Sequence, residues 1–100
     1  MITEHLATGK HNAIKAQDLA DMLGCSKREI ISTVQMERRQ GKPICVNLDR
    51  ANGGYYLPDT PDDLEHTCNI LRKRAGELYA TRKPLLKALK EMKENNTTLP

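Results

Sequence analysis

The chain has 100 residues, a formal net charge of +3 and a pI near 8.8. It contains no Phe, no Trp and only three Tyr, so its core must be aliphatic, and few large side chains remain to form the walls of a catalytic pocket. The length allows one small domain, or a small domain with an extension. No disulfide framework, secretory signal or membrane-spanning run is visible, which predicts a cytoplasmic protein with no membrane partner.

The first fifteen positions predict a short helix, a turn and an extended segment. Residues 1–8 form the candidate helix, with Ile2 and Leu6 facing inward and Thr3 as its cap. A turn over residues 9–12 then leads to residues 13–15, which are either a short extended piece or a plain loop.

Residues 16–41 predict two helices joined by a tight turn, the helix-turn-helix arrangement. Gly24 can adopt the left-handed conformation that ends a helix, and Ser26 can cap the next one. Glu29 follows Ser26 at the spacing of a capping box. The apolar residues of the first helix fall on one face, which is formed by Leu19, Ala20 and Leu23.

The second helix has a buried face and a polar face. At about 100° per residue, Ile30 and Val34 mark the buried side. The opposite side carries a line of side chains without an acid, here called the outward row: Arg28, Ser32, Gln35 and Arg39. Arg and Gln form paired hydrogen bonds with guanine and adenine edges, and Ser and Arg also reach phosphates. The row therefore predicts DNA contact, with an ordinary solvated helix face as the alternative.

A β-hairpin is predicted after Gly41. Residues 43–48 have the β-branched content of a strand, and residues 55–57 form the returning strand. The six residues between them include Asn52-Gly53, a strong hairpin signal. Arg50 and Asn52 are then at the tip of the hairpin.

These motifs carry a resemblance to a known class of protein. Leu-Ala-x-x-Leu-Gly-Cys-Ser at residues 19–26, Ile30 four residues later, and Gly-Tyr-Tyr-Leu-Pro at residues 54–58 resemble a winged helix-turn-helix domain. Residues 2–58 are similar to the N-terminal DNA-binding domain of biotin-operon repressors and to small winged-helix proteins of bacterial prophages. The resemblance implies DNA binding and transcriptional regulation, with a phage origin.

One position departs from that pattern, since Glu37 stands where such domains place a core Leu. Either the aliphatic stems of Glu37 and Arg38 cover the core at this point, or Met36 shifts into it. The two alternatives give different registers for the last turn of the helix.

The last segment predicts a long helix over residues 59–94, with Thr60 as its cap and Pro61 in its first turn. Its apolar residues recur at heptad spacing. The d positions are Leu64, Leu71, Leu78, Leu85 and Met92, and the a positions are Cys68, Ala75, Arg82 and Leu89. Gly76 weakens this helix, and Pro84 is expected to kink or split it. The helix either associates with a second copy or folds onto its own domain.

The predicted fold is mostly α with a small β-hairpin. A winged helix-turn-helix domain at residues 1–58 precedes the C-terminal helix at 59–94, and a polar tail at 95–100 is expected to fray.

Two functions from different classes fit the sequence. The first is sequence-specific binding of double-stranded DNA by a homodimer, in transcriptional regulation. Dimerisation would use Leu64, Leu71, Leu78 and Leu85, and DNA would contact Ser26, Lys27, Arg28, Ser32, Gln35, Arg39, Arg50 and Asn52. The second is a protein–protein interaction module of a phage or replication assembly that uses the C-terminal helix.

No catalytic motif, cofactor or metal is expected. His66 and Cys68, with Cys45 upstream, lack the paired spacing and the fourth ligand of a zinc site. No phosphate-binding glycine loop or nucleophile motif occurs.

Overall fold

The computed structural model describes the backbone of residues 1–98 and the side chains of residues 1–95. The chain is mostly helical, with a two-stranded antiparallel hairpin and a long C-terminal helix. It divides into two compact units, Met1–Thr67 and Cys68–Pro100. The elements in chain order are two short 3-10 helices (Ile2–His5 and Lys10–Asn12), α1 (Ala16–Leu23), α2 (Lys27–Arg39), β1 (Cys45–Asn47), β2 (Gly54–Tyr56) and α3 (Pro61–Thr98).

The turn between α1 and α2 has the predicted chemistry. Gly24 ends α1 in the left-handed conformation (φ 68°, ψ 36°), where a side chain would cost energy. Ser26 Oγ accepts the Glu29 N–H at 3.1 Å, and Glu29 Oε2 accepts the Ser26 N–H at 3.2 Å. This reciprocal pair confirms the capping box and defines where α2 begins.

The main hydrophobic cluster of the N-terminal unit is aliphatic, as predicted, although Tyr56 of β2 is also fully buried. The cluster is formed by Ile2, Leu6, Leu19, Ala20, Ile30, Val34 and Ile44. Leu23 was expected on the same buried face but is 39% exposed. It is the last residue of α1, and it lines a shallow depression of about 230 Å³ instead of filling the core.

The predicted helix over residues 1–8 is shorter than expected and is a 3-10 helix, Ile2–His5. Leu6 already has extended backbone angles (φ −97°, ψ 141°). The reason is tertiary, because the backbone beyond the helix pairs with Leu57. Leu57 donates its N–H to Ala7 O and accepts the Gly9 N–H, both at 2.9 Å.

The segment before α1 also pairs with the hairpin. Ile14 and Tyr55 form an antiparallel bridge, in which each residue donates its N–H to the other's carbonyl, at 2.9 and 2.8 Å. The extended alternative for residues 13–15 is therefore correct at Ile14. Gly54 (φ 135°) has to be glycine here, because a Cβ would meet the Ile14 carbonyl.

The hairpin is antiparallel, and side chains stabilise its turn. Cys45 pairs with Tyr56 and Val46 with Tyr55. Asn47 Nδ2 donates to Asn52 O at 3.1 Å, across the turn. Asn47 Oδ1 also accepts the N–H of the residue two positions on, at 3.2 Å. β1 is shorter than predicted because the remaining residues belong to the turn and the connections, whereas β2 has the predicted length and begins one residue earlier.

The position of Glu37 determines the register of the last turn of α2. Its side chain is fully buried, whereas Met36 is 53% exposed, so Met36 does not shift into the core. Glu37 Oε2 accepts the Ile2 N–H at 2.8 Å, and Oε1 accepts the N–H and the hydroxyl of Thr3 at 3.1 and 2.6 Å. Thr3 therefore does not cap the first helix as predicted, because its hydroxyl donates to Glu37 instead.

The charge of Glu37 is favoured in this setting. Burial alone would raise the pKa of its carboxyl. The hydrogen bonds from the Thr3 hydroxyl, the Thr3 N–H and the Ile2 N–H, with the positive N-terminal amine, outweigh burial and hold the pKa below its ordinary value. Glu37 is therefore a buried carboxylate, and both of its oxygens accept hydrogen bonds.

The first turn of α3 is held by Asp63. Its carboxylate accepts the N–H groups of Asp59 and Thr60 at 2.9 and 3.2 Å. The bond from Asp59 has the largest effect and, with that from Thr60 and the charge of Lys10, keeps the pKa of Asp63 below its ordinary value, against the effect of burial. The Asp63 side chain thus stabilises the start of α3, which the sequence predicts at residues 60–61.

Tyr56 and Thr67 join the hairpin to the start of α3. Burial first, and then the negative charge of Asp63, raise the pKa of Tyr56. Thr67 is buried, and its Oγ1 accepts the Val46 N–H at 3.2 Å. The compact N-terminal unit accordingly includes the chain up to Thr67.

α3 continues through Pro84 as one helix, so the predicted split does not occur. The ring of Pro84 fixes a φ that helices tolerate, and the residue gives up one hydrogen bond to the turn before it. The helical backbone extends to Thr98, past the predicted start of the tail at Asn95. Residues 99 and 100 of that tail lie outside the described residues.

Candidate nucleic-acid interface

The outward row lies on the exposed face of α2. Arg28, Ser32, Gln35 and Arg39 are all exposed, whereas Ile30, Val34 and Glu37 on the opposite face are buried. No member of the row forms a salt bridge within the described residues. Two guanidinium groups, an amide and a hydroxyl therefore face solvent along one side of a rigid helix.

The start of α2 adds a second group of polar atoms. Lys27 and Arg28 occupy the first turn, where backbone N–H groups precede the first intrahelical acceptor. Ser26 Oγ accepts a hydrogen bond within the capping box, which leaves its O–H free to act as a donor. An anion at this end of α2 would meet a lysine, backbone N–H groups and the positive end of the helix dipole.

Arg38 differs in role from its neighbour Arg39. Arg38 Nε donates to Ile44 O at 2.8 Å, and its guanidinium lies 5.8 Å from the centre of the Tyr55 ring. It joins α2 to the hairpin, whereas Arg39 is exposed. Together with Glu37 at the other side of the buried face, Arg38 fixes how α2 is rotated, and this rotation turns the outward row to solvent.

Two apolar side chains flank the row and were not assigned from the sequence. Ile31 is 47% exposed and Met36 is 53% exposed. At about 100° per residue they lie on either side of the row, and this angle is the signal that identifies them. Such side chains can contact the C5-methyl group of thymine.

Arg50 and Asn52 form a separate exposed group in the hairpin turn. The backbone of this turn is held by the bond from Asn47 to Asn52 O and by the Ala51 N–H, which donates to Asp49 Oδ1 at 3.1 Å. No hydrogen bond or ion pair joins the two side chains to the outward row in the part of the chain that the structure describes. The candidate DNA residues therefore form two groups, one on α2 and one on the hairpin.

The four predicted dimerisation residues lie along α3 and are exposed to different degrees. Leu64 is 37% exposed and Leu71 40%, whereas Leu78 is 72% and Leu85 66% exposed. Ala75, Leu78, Tyr79 and Arg82 line a shallow groove of about 270 Å³ on one side of the helix.

Neither metal ligands nor membrane-spanning helices are found among the described residues. No three His, Cys, Asp or Glu side chains there come together to hold a metal ion. None of the three cysteines forms a disulfide: Cys45 is buried, Cys25 is partly buried and Cys68 is exposed. No helix in that part of the chain combines the length and the apolar character needed to cross a bilayer.

Comparison with known proteins assigns no family. No family model, curated protein or solved structure matches the chain. A function must therefore be inferred from the geometry and chemistry of the chain's own residues.

Proposed function

We propose that the protein binds double-stranded DNA in a sequence-specific manner and regulates transcription, with the N-terminal unit as a winged helix-turn-helix domain. The observation that carries the proposal is the outward row, which contains two arginines and no acid on a helix whose opposite face is fixed by the core. A rigid helix is needed because base recognition depends on side chains that are held in register with the duplex. The resemblance to prophage winged-helix proteins further suggests a phage origin and a cytoplasmic site of action.

In this proposal α2 enters the major groove, which is wide enough for a helix. Arg28 and Arg39 are suited to guanine, and Gln35 is suited to adenine, because each offers paired hydrogen-bonding groups. Ser32 contacts a base or a phosphate. Ser26, Lys27 and the first backbone N–H groups of α2 bind phosphate and position the helix without reading sequence.

The hairpin acts as the wing. Arg50 and Asn52 at its tip contact the DNA backbone or the adjacent minor groove, and a cation there adds affinity that salt can screen. The wing is joined to α2 through Arg38, which bonds to Ile44 immediately before β1.

The protein would bind as a homodimer through α3. The exposed leucines of α3 support this part of the proposal, because they leave an apolar stripe without a partner. The same leucines also favour the second candidate function, a protein–protein interaction module of a phage or replication assembly. In that case α3, and not α2, would be the working surface.

A selection from random DNA duplexes, followed by a salt titration, separates the two functions. For DNA binding, one sequence should be enriched and should bind at least about 10³-fold more tightly than an unrelated duplex. Its log affinity should fall linearly with log salt concentration through counterion release. Failure to enrich any sequence, with equally weak binding to all duplexes, would favour the interaction module.

A further inference from the structure

We infer that α3 pairs with α3 of a second copy in an antiparallel orientation, with Ala75 opposite Leu85 and Leu78 opposite Arg82 of the other copy. The inference rests on the proposed self-association through α3 and specifies its geometry. It does not require DNA binding, because the helix residues involved are separate from the outward row.

The groove on α3 has the shape that a facing helix requires. Its four lining residues, Ala75, Leu78, Tyr79 and Arg82, are spaced i, i+3, i+4 and i+7. In paired helices, four residues at this spacing form the hole that receives one side chain of the partner. The groove thus fits a side chain of another helix with the same heptad repeat.

The two residues that weaken α3 do not interrupt the apolar stripe. Gly76 and Pro84 occupy the b and c heptad positions, on the side away from the a and d residues. α3 is nevertheless one helix from Pro61 to Thr98. The stripe from Leu64 to Met92 is consequently available as one surface of about 42 Å in length.

The sizes of the side chains favour the antiparallel orientation. The d positions are all large, whereas three of the four a positions are small or charged: Cys68, Ala75 and Arg82. Parallel helices would place each a residue opposite its own copy, so Ala75 would face Ala75 and leave a gap. Antiparallel helices place each a residue opposite a d residue, so every weak position meets a Leu or Met.

The charge of Arg82 also favours the antiparallel orientation. In a parallel pair the two Arg82 side chains would share one layer of the interface, where like charges repel. In the antiparallel pair each faces Leu78, and the two lie about 6 Å further apart along the axis. Arg82 also lies over the Tyr79 ring, 5.9 Å from its centre. The two Tyr79 rings meet at the middle of the antiparallel pair, where each can accept a guanidinium group.

Charges at the edges of the stripe are complementary in the same alignment. At the heptad e positions, Glu65 of one helix faces Lys93 of the other, and symmetry produces this pair twice. Tyr79 faces Tyr79, and Arg72 faces Leu86, whose side chain the Arg stem can cover. No pair of like charges arises at these edges.

Disulfide cross-linking of the full chain tests the orientation. Met92→Cys places a thiol opposite Cys68 of the second copy, so mild oxidation should give a covalent dimer. The matched control is Met92→Cys combined with Cys68→Ala. In the antiparallel pair the two thiols introduced at position 92 of this control are about 36 Å apart and should not cross-link. Wild type, whose Cys68 thiols would also be about 36 Å apart, should not form a Cys68 disulfide.

Each other outcome overturns the inference. Cross-linking of wild type through Cys68, or of the control through its introduced thiols, would mean parallel helices. In Met92→Cys, a disulfide between Cys68 and the introduced thiol of the same monomer would mean that α3 folds back on itself near Pro84. Sedimentation equilibrium completes the test: wild type that stays monomeric at tens of micromolar would exclude the pair, whatever the DNA selection yields.

A charge exchange provides a second readout that does not rely on cysteine. Lys93→Glu should weaken the dimer several-fold, because it places two acids together at each end of the pair. Glu65→Lys combined with Lys93→Glu restores opposite charges and should restore the dimer. If the double variant is weaker than Lys93→Glu alone, the Glu65–Lys93 pairing does not exist.

Discussion

Glu37 on α2 and Thr3 at the start of the chain are joined by two hydrogen bonds. Glu37 Oε1 accepts the Thr3 hydroxyl at 2.6 Å and the Thr3 N–H at 3.1 Å. The other carboxylate oxygen accepts the Ile2 N–H at 2.8 Å. Because Glu37 lies on the face of α2 opposite the outward row, these bonds help to set which side chains of α2 face solvent.

Replacing Glu37 by Leu should destabilise the protein, although Leu is the residue that the core pattern predicts. The substitution would leave the buried N–H of Ile2 and the partly buried N–H of Thr3 without an acceptor, at a cost of about 1–3 kcal/mol. Thr3→Ala, the matched control, keeps both N–H bonds and removes only the hydroxyl, so it should cost less. Urea denaturation measures both changes, and an unchanged midpoint in Glu37→Leu would show that the carboxylate contributes nothing.

Glu37 should also make stability depend on pH in the acid range. Its pKa is lower in the folded protein than the ordinary value of 4.5. Its contribution is therefore complete above about pH 4.5 and is lost as the pH falls through the lower, folded pKa. The free-energy difference between wild type and Glu37→Gln should shrink as the pH falls from 6 to 3. A difference that stays constant over this range would contradict the assignment of a charged Glu37.

Which features of the fold could be predicted from the sequence depends on how far apart in the chain the interacting residues lie. The Gly24 turn, the Ser26 capping box and the hairpin were predictable because local residues determine them. The role of Glu37 was not, because its partners are more than thirty positions away and the residue type gives no hint of them. The pairing of Leu57 with the N-terminal segment is equally non-local.

Two further predictions differ from the structure. Burial of Leu23 was inferred from helical periodicity alone, but a residue at the end of a helix is covered only if another element reaches it. Pro84 predicts a break by its chemistry, yet a long helix can lose one hydrogen bond and continue. At the candidate site, the faces of α2 followed from periodicity, whereas the difference between Arg38 and Arg39 depends on the position of Ile44.

The wing can be tested apart from α2. Replacing Arg50 and Asn52 together by Ala should lower affinity for the selected duplex and reduce the salt slope by about one. Stability should hardly change, because the Asn52 backbone carbonyl, and not its side chain, accepts the bond from Asn47. Lys87→Ala, on the far side of the α3 stripe, is the charge control. Unchanged affinity would restrict the hairpin to a structural role.

Substitution of leucines in the α3 stripe should remove self-association without unfolding the N-terminal unit. Leu71→Asp with Leu78→Asp would place carboxylates in the interface without partners, which a small interface cannot tolerate. The variant should sediment as a monomer and lose affinity for a duplex with two half-sites. Lys73→Asp with Lys87→Asp, on the opposite side of the helix, should leave the association state unchanged. A Leu71/Leu78 variant that unfolds outright would instead favour a helix that packs on its own domain.

The most direct test of DNA reading by α2 compares Arg28→Ala with Lys27→Ala on the selected site and its single-base variants. Arg28→Ala should cost about 1–3 kcal/mol and remove discrimination at one position only. Lys27→Ala should weaken binding to all sequences alike, because it removes a phosphate contact. If Arg28→Ala keeps both the affinity and the base preference of wild type, α2 does not read DNA through this residue.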